Sequence, residues 1–271
     1  MQPLKSYFIL LICTLSLSAQ SQNHSTKTTT KHPMQLVWHD EFNYNGLPDA
    51  TKWNYDVGTG DWGWGNNELQ YYTKDSLGNA RVGDGVLTIE LKKQAIEDKK
   101  YSSARLVTKG KGDWIYGRID VRAKLPKGLG TWPAIWMLGS ASPLQWPDDG
   151  EIDIMEHVGY NPGIVHATVH TKSFNHIIGN QKTNTIAVPD FDTQFHVYSV
   201  IWNRDSVNIL IDNKSYYSFT NRGTGKDAWP FDAPMHLLLN LAFGGNWGGK
   251  EGINEAILPA KMEIDYVRVF Q

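Results

Sequence analysis

The sequence predicts an all-β fold of two stacked sheets or a barrel. Several short runs alternate apolar with polar residues, which is the pattern of a strand that buries one face. Turn-forming residues separate these runs, and no convincing amphipathic helical run lies between them. The clearest runs are Val86–Leu91, Gly117–Leu125, Ile164–His170, Ser206–Ile211 and Met262–Phe270. Turn signals stand at Gly83-Asp-Gly, Pro126-Lys-Gly, Asp149-Gly and Asp212-Asn.

The first 19 residues predict a signal peptide. Lys5 gives a positive start, Tyr7–Leu17 is largely apolar, and the small residues that precede cleavage follow up to Ala19. The apolar run is shorter than the ~20 residues of a membrane span, so we expect no membrane association of the mature protein. The single Cys13 lies inside this run, and the bulky Ile12 before it argues against lipid anchoring. We therefore expect a secreted protein, either extracellular or periplasmic.

A spacer and one domain follow. Residues 20–35 are rich in Ser and Thr and almost free of large apolar residues, which predicts a flexible spacer. Residues 36–271 can form a single β-domain, and we expect a monomer. A net charge of -2 with 20% charged residues gives no basis for a nucleic-acid partner. Eleven Trp and twelve Tyr suit a neutral sugar ligand, although a heavy aromatic core would show the same excess.

An acidic segment, Glu151-Ile-Asp-Ile-Met-Glu, is the strongest functional signal in the chain. In a regular strand Glu151 and Asp153 would share one face, and Glu156 would fall on the opposite face. An extra residue, as a β-bulge around Ile154-Met155, would return Glu156 to the face of the other two acids. We predict that bulge.

Two carboxyl groups on one face suit glycoside hydrolysis, which needs a separation of roughly 5–5.5 Å for retention or 6.5–9.5 Å for inversion of the anomeric centre. Two other interpretations remain open at this point. The acids could form a solvated strand face or salt bridges with neighbours such as Arg118 or Arg122, or they could be the oxygen ligands of a metal ion.

The chain resembles glycoside hydrolase family 16 and, within it, the bacterial laminarinases, which are endo-β-1,3-glucanases. The resemblance extends from about Leu36 to Gln271 and implies a jelly-roll β-sandwich of two antiparallel sheets with a substrate cleft on the concave face. It also implies a retaining mechanism without a catalytic cofactor. The matching motifs are Trp38-His-Asp-Glu-Phe, Trp64-Gly-Asn-Asn-Glu-Leu-Gln-Tyr-Tyr-Thr, Tyr101-Ser-Ser-Ala-Arg-Leu, Gly130-Thr-Trp-Pro-Ala-Ile-Trp-Met-Leu-Gly, Gly150-Glu-Ile-Asp-Ile-Met-Glu, Asn240-Leu-Ala-Phe-Gly-Gly-Asn-Trp-Gly-Gly and Met262-Glu-Ile-Asp-Tyr-Val-Arg-Val.

By this resemblance, Glu151 corresponds to the nucleophile and Glu156 to the general acid and base. Asp153 lies between them, and we expect its negative charge to help Glu156 keep a proton. The five-residue step from Glu151 to Glu156 is the laminarinase spacing, whereas lichenases of the family have one residue fewer and no bulge.

The substrate-binding residues are inferred from strand faces and from the same resemblance. Trp132 and Trp136 share a strand face and are predicted to form a stacking platform, with core packing as the alternative. Trp247 lies in a glycine-rich loop and is expected either to contact the cleft or to anchor the loop. The polar residues that match sugar-hydroxyl positions of the family are Asn66, Arg105 and His170.

The family further implies a structural calcium ion on the convex side. Its ligands would be the backbone oxygens of Glu41 and Gly85 and the carboxylate of Asp265, although Asp265 could equally be an ordinary outward-facing acid. The competing functions are a hydrolase of mixed-linkage β-glucan or of a galactan such as agar, and a glucan-binding protein without activity. The complete acid set favours an enzyme, and the Trp64 motif favours a laminarinase.

Overall fold

Two antiparallel sheets of eight strands face each other in the computed structural model, which describes residue 1 and residues 33–271. The strands are β1 (Leu36–Asp40), β2 (Asn54–Tyr55), β3 (Gln70–Tyr72), β4 (Ala80–Gly83), β5 (Val86–Leu91), β6 (Tyr101–Ser103), β7 (Arg105–Val107), β8 (Asp113–Trp114), β9 (Gly117–Lys124), β10 (Thr131–Gly139), β11 (Glu151–His157), β12 (Ile164–His170), β13 (Lys182–Ala187), β14 (His196–Trp202), β15 (Ser206–Ile211), β16 (Lys214–Thr220), β17 (Met235–Phe243) and β18 (Ala260–Phe270).

The sheet that we call the front sheet has the order β13-β12-β11-β10-β17-β7-β2, and β8 pairs with β17. The back sheet has the order β16-β15-β14-β9-β18-β5-β4, and β1 pairs with β18. A short parallel pair, β3 and β6, forms a third sheet. In the part of the chain that the structure describes, helix is confined to single turns at Gly63–Asn67 and Glu255–Ile257. The predicted all-β sandwich is therefore confirmed.

The alternating runs of the sequence became strands because each buries one face in the core between the sheets. β12 and β15 have the bounds that the alternation predicts. β17 shows no alternation in sequence, since all nine of its residues are buried. A strand covered on both faces reads as a continuous apolar run, which a periodicity of two cannot detect.

The core between the sheets is a single large cluster of apolar side chains. On the front sheet, Ile135 and Met137 of β10 and Leu239 of β17 point into it and are fully buried. Because side chains alternate along a strand, the residues between them face away from the core. That outer face of the front sheet carries the acidic segment.

The N-terminal predictions are not addressed by the fold. The signal peptide of residues 1–19, including Cys13, and most of the 20–35 spacer lie outside the described residues. Residues Met34–Gln271 form one compact unit, and β1 begins at Leu36. No helix in the described part of the chain is both long and apolar enough to cross a membrane.

Candidate active site

The predicted β-bulge lies in the middle of β11. Against β10, Asp153 pairs with Trp136 and Met155 pairs with Ile135, so that Ile154 is the extra residue. The register against β12 shifts at the same point, between Asp153 and Glu156. Ile154 and Met155 are both fully buried in the core. The bulge thereby puts Glu156 on the outer face, as predicted.

The three acids consequently lie opposite alternate residues of β10. Glu151 pairs with Leu138, Asp153 with Trp136, and Glu156 with Ala134. Glu151 and Glu156 are thus four β10 residues apart, about 13 Å along the strand. Asp153 is 2% exposed, and both Glu side chains are partly buried.

Glu151 accepts a hydrogen bond from Trp146, whose Nε1 is 2.8 Å from Oε2. Burial raises the pKa of Glu151, and the Trp146 N–H opposes this by stabilising the charged form. The Nε2 atom of His170 lies 3.6 Å from Glu151 Oε1 and 3.5 Å from Asp153 Oδ2. Burial lowers the pKa of His170 to about 4, so this imidazole is neutral near pH 7.

Asp153 lies between the two Glu residues on β11 and is almost fully buried. Burial, followed by the charges of Glu151 and Glu156, raises the pKa of Asp153 well above its usual range. A hydrogen bond between the carboxyl groups of Asp153 and Glu151 raises the pKa of Asp153 and lowers that of Glu151. This pair therefore favours the proton on Asp153 and the negative charge on Glu151.

Glu156 receives an indole N–H as well, since Trp132 Nε1 lies 3.0 Å from its Oε1. Burial and then the charge of Glu151 raise the pKa of Glu156 to about 8. The charges that raise the pKa of Glu156 are those of Glu151 and then Glu68. The expected contribution of Asp153 to the protonation of Glu156 stays a prediction.

Beside the acids, Arg105 lies between two aromatic rings, an arrangement that we call the arginine stack (Trp64, Arg105 and Trp136). Its guanidinium carbon is 4.5 Å from the centroid of Trp64 and 4.7 Å from that of Trp136. Arg105 Nε also lies 2.9 Å from Asp56 Oδ2. Trp136 donates its Nε1 proton to Asn240 Oδ1 at 2.7 Å. The stack is a rigid, partly exposed surface that can present both an aromatic face and N–H donors.

Trp132 and Trp136 share the outer face of β10, as predicted, but they are not equivalent. Trp132 is only 9% exposed, because Trp247 packs edge-on against it with ring centroids 5.3 Å apart. Trp247 also contacts His166, at 5.0 Å between centroids. Trp132 therefore contributes an N–H donor to Glu156. The rings of Trp136 and Trp247 are partly exposed and offer more surface to a ligand.

Asn66, the remaining predicted sugar-binding residue, is partly exposed in the helical turn Gly63–Asn67. Its backbone oxygen accepts a hydrogen bond from Asn246 N at 2.7 Å, which connects this turn to the loop that carries Trp247. The predicted substrate-binding residues thus lie around one face of the front sheet, beside the acids.

Two residues that act on the acids, Trp146 and Glu68, were not predicted as site residues from the sequence. Trp146 lies in the loop before β11, and the only local signal was an aromatic residue close to the acidic strand. Glu68 is the acid of the motif that begins at Trp64. It is 6% exposed, and its charge acts on Glu156. A single acid in an aromatic segment was the signal that could have identified it.

The acidic segment had two other interpretations, a surface ion-pair network and a metal site. The arginines proposed as partners lie on the back sheet, where Arg118 pairs with Asp120 and Arg122 pairs with Asp265. The surface ion-pair interpretation is therefore wrong. Glu151, Asp153 and His170 place one ligand atom each within 4.8 Å of one another, so the metal interpretation stays a prediction.

The residues predicted to hold calcium meet at one place in the back sheet. β1 pairs with β18 up to Asp40 and Val267, and β5 pairs with β18 from Leu87 and Ile264. Glu41 and Gly85 therefore flank the gap in which Asp265 lies. One oxygen of Asp265 accepts a hydrogen bond from Arg122 at 2.5 Å. Two carbonyl oxygens and one carboxylate are a donor set that suits Ca²⁺.

Comparison with known proteins agrees with this geometry. A beta-glucanase of Rhodothermus marinus is 54% identical over 248 residues, which are 88% of this chain and 85% of that protein. The X-ray structure of the laminarinase from Rhodothermus marinus has a TM-score of 0.85 at 51% identity and covers 88% of this chain and 98% of that one. A non-specific endo-beta-1,3(4)-glucanase co-crystallised with 1,3-beta-D-cellotriosyl-glucose has a TM-score of 0.84 at 48% identity, covering 88% and 95%.

These similarities confirm the predicted jelly-roll sandwich and the predicted glycoside hydrolase. The family model of Glycosyl hydrolases family 16 matches residues 66–268, which include the acidic strand, Arg105 and Trp136 of the arginine stack, and the Trp247 loop. With more than half of its length matched, this chain belongs to glycosyl hydrolase family 16.

Proposed function

We propose that this protein hydrolyses internal β-1,3-glucosidic linkages of laminarin-like glucans with retention at the anomeric carbon. The observation that carries the proposal is the placement of two carboxyl groups with different neighbours on one strand face. Glu151 is the acid whose charge is stabilised by hydrogen bonds, and the pKa of Glu156 is raised to about 8. An ionised nucleophile beside a protonated acid is the pairing that retaining hydrolysis requires.

In the first step, the Glu151 carboxylate attacks the anomeric carbon while Glu156 gives its proton to the departing glycosidic oxygen. The product is a glycosyl ester on Glu151. In the second step, the now ionised Glu156 takes a proton from water, whose oxygen attacks the anomeric carbon and releases Glu151. Asp153 supports both steps by donating a hydrogen bond to Glu151 whenever that carboxylate is free.

The substrate is inferred from the relatives and from the site. The relatives described above are named as a beta-glucanase, a laminarinase and an endo-beta-1,3(4)-glucanase. The partly exposed rings of Trp136 and Trp247 suit the apolar face of a glucose unit, and Arg105, Asn66 and neutral His170 suit its hydroxyl groups.

Cleavage of mixed-linkage β-glucan is the second candidate, because the relative solved with an oligosaccharide is called non-specific. A panel of laminarin, curdlan, lichenan and agarose with product sizing separates the two candidates. We expect laminarin to be cleaved fastest, into oligosaccharides of several sizes. Faster cleavage of lichenan or agarose would overturn the β-1,3 proposal.

The decisive variants are Glu151→Gln and Glu156→Gln. Each removes one of the two required protonation states without changing side-chain volume, so we expect laminarin hydrolysis to fall by 10³-fold or more, on the order seen when a catalytic group is removed. Early products of the wild-type enzyme, followed by NMR, should carry the β anomer. Near-normal turnover by either folded variant, or initial release of the α anomer, would refute the assignment.

A structural calcium ion at Glu41, Gly85 and Asp265 and export through residues 1–19 also belong to this proposal. The calcium would link β1, β5 and β18 at the gap described above and would take no part in the chemistry. Export is supported by the charge and apolar pattern of the N-terminal residues alone. N-terminal sequencing of the protein recovered from culture medium or periplasm tests it, and we expect a start near Gln20.

A further inference from the structure

A buried acid outside the catalytic strand is connected to both halves of the site. Glu68 is 6% exposed and follows the turn Gly63–Asn67, at a bridge between Glu68 and Gly244. Its Oε2 atom accepts hydrogen bonds from Gln70 Nε2 at 2.6 Å and from the Tyr72 hydroxyl at 3.2 Å. A carboxylate held by several donors in the interior is costly to bury and needs a physical reason.

The first connection leads to the arginine stack. The Tyr72 hydroxyl, which donates to Glu68, accepts from Asn240 Nδ2 at 3.0 Å. The other end of the Asn240 amide accepts the Trp136 indole proton at 2.7 Å. This chain of hydrogen bonds fixes which way the Asn240 amide faces, and the amide in turn fixes the Trp136 ring on which Arg105 lies.

The second connection is electrostatic. The charge of Glu68 raises the pKa of Glu156, after burial and the charge of Glu151. Around Glu68 itself, burial raises the pKa, while Gln70, the Arg105 charge and Tyr72 lower it. The titratable and charged groups around Glu156 are Glu151 and Asp153 on its own strand, His166 opposite it on β12, Tyr216 of β16, and Glu68.

We propose that Glu68 is a positioning residue for hydrolysis, which orders Trp136 and Arg105 through Tyr72 and Asn240 and acts electrostatically on Glu156. This role rests on the proposed function, since it concerns the same two acids. Glu68 touches neither the reacting atoms nor the bond that is cleaved, and it acts through other residues.

The test compares the pH profile of laminarin hydrolysis in the wild type and in Glu68→Gln. Removing the charge lowers the pKa of Glu156, so we expect the alkaline limb of kcat/KM to move to lower pH by about half a unit. This corresponds to a roughly threefold loss above that limb. The acidic limb, which belongs to Glu151, should move less. An alkaline limb at the wild-type position would overturn the electrostatic role.

Tyr72→Phe isolates the structural role, because it breaks the path from Glu68 to Asn240 and leaves the carboxylate in place. We expect KM to rise several-fold with little change in the alkaline limb. An unchanged KM would overturn the positioning role. If Glu68→Gln does not fold, Glu68→Asp takes its place. This variant keeps the carboxyl group but shortens its reach to Tyr72, so we expect a raised KM and an alkaline limb at the wild-type position. A wild-type KM in Glu68→Asp would equally count against the proposal.

Glu90→Gln is the matched control. Glu90 is a 7% exposed acid of β5 in the back sheet, where its Oε2 lies 2.6 Å from Arg81. Its loss tests whether removing any buried carboxylate changes the profile, and we expect both limbs and KM to stay at wild-type values. A wild-type protein that leaves laminarin intact would instead refute the proposed function. Failure of the proposed function is therefore distinguishable from failure of the role proposed for Glu68.

Discussion

At the scale of single residues, the two candidate catalytic acids differ in what surrounds them. Each accepts one indole N–H, Glu151 from Trp146 and Glu156 from Trp132. The hydrogen bond from Asp153 lowers the pKa of Glu151, whereas the charge of Glu151 raises the pKa of Glu156. Two identical side chains thereby have different influences on their pKa, because burial makes each neighbouring dipole and charge count for more than in water.

The indole donors give a prediction with a defined sign. Both N–H groups stabilise the charged form of their acid, so Trp146→Phe should raise the pKa of Glu151 and Trp132→Phe should raise that of Glu156. In the first variant we expect the acidic limb of kcat/KM to move to higher pH, and in the second the alkaline limb, each by about one unit. Full pH profiles check this. Movement of the same limb in both variants would contradict the assigned roles.

At the scale of elements, the bulge in β11 lets one strand present three acids on one face. Without an extra residue, the five-residue step from Glu151 would turn Glu156 into the core. With it, Ile154 and Met155 both enter the core, and the acids stay opposite alternate residues of β10. The bulge was predictable because strand alternation is a local rule, and three acids cannot all face an apolar core.

Two deletions test the bulge. Removing Met155 restores a regular strand with Glu156 still on the outer face, so we expect a folded protein with residual laminarin hydrolysis. Loss of one buried side chain should destabilise it by about 2–5 kcal/mol. Removing Ile152 turns Glu151 towards the core, and we expect no activity and a larger loss of stability. Circular dichroism melts and activity assays distinguish the two, and turnover in the Ile152 deletion would contradict the register.

At the scale of the whole molecule, the acidic site lowers the stability of the sandwich. The pKa of Glu156 rises from an ordinary value of 4.5 to about 8 in the folded protein. Between these pH values the unfolded chain binds fewer protons than the folded one, so stability falls as pH rises through this range. Below pH 4.5 both states are protonated and the penalty disappears.

Glu156→Gln removes that penalty. We expect the variant to be more stable than the wild type at pH 8 by about 4 kcal/mol, or roughly 8–16 °C in Tm. The difference should vanish near pH 4. Thermal melts across this pH range measure it, and a variant less stable than the wild type at pH 8 would show that the raised pKa is not a cost to folding.

Calcium removal acts at the same scale. If the ion links β1, β5 and β18, EDTA should lower the Tm by several degrees and added Ca²⁺ should restore it, because a ligand that binds only the folded state stabilises that state. Activity at low temperature should change little. Asp265→Asn is the control, and we expect its Tm to respond to neither reagent. A wild-type Tm that ignores both would refute the calcium site.

The fold class, the bounds of β12 and β15, the bulge and the face on which the acids lie were all predictable from the sequence. These follow from alternation and turn chemistry, which depend on neighbours along the chain. The sequence did not reveal β17, whose nine buried residues carry no period of two. The candidate roles of Glu151 and Glu156 were inferred from the family motifs in the sequence.

The hydrogen-bond partners and the burial of each acid could be learned only from the folded structure. Trp132 and Glu156 are 24 residues apart, and Tyr72 and Asn240 are 168 apart, so no local pattern joins them. Burial, which contributes most to the raised pKa of every acid in this site, exists only once the sheets have packed. For that reason the sequence could not indicate that the pKa of Asp153 is raised well above its usual range.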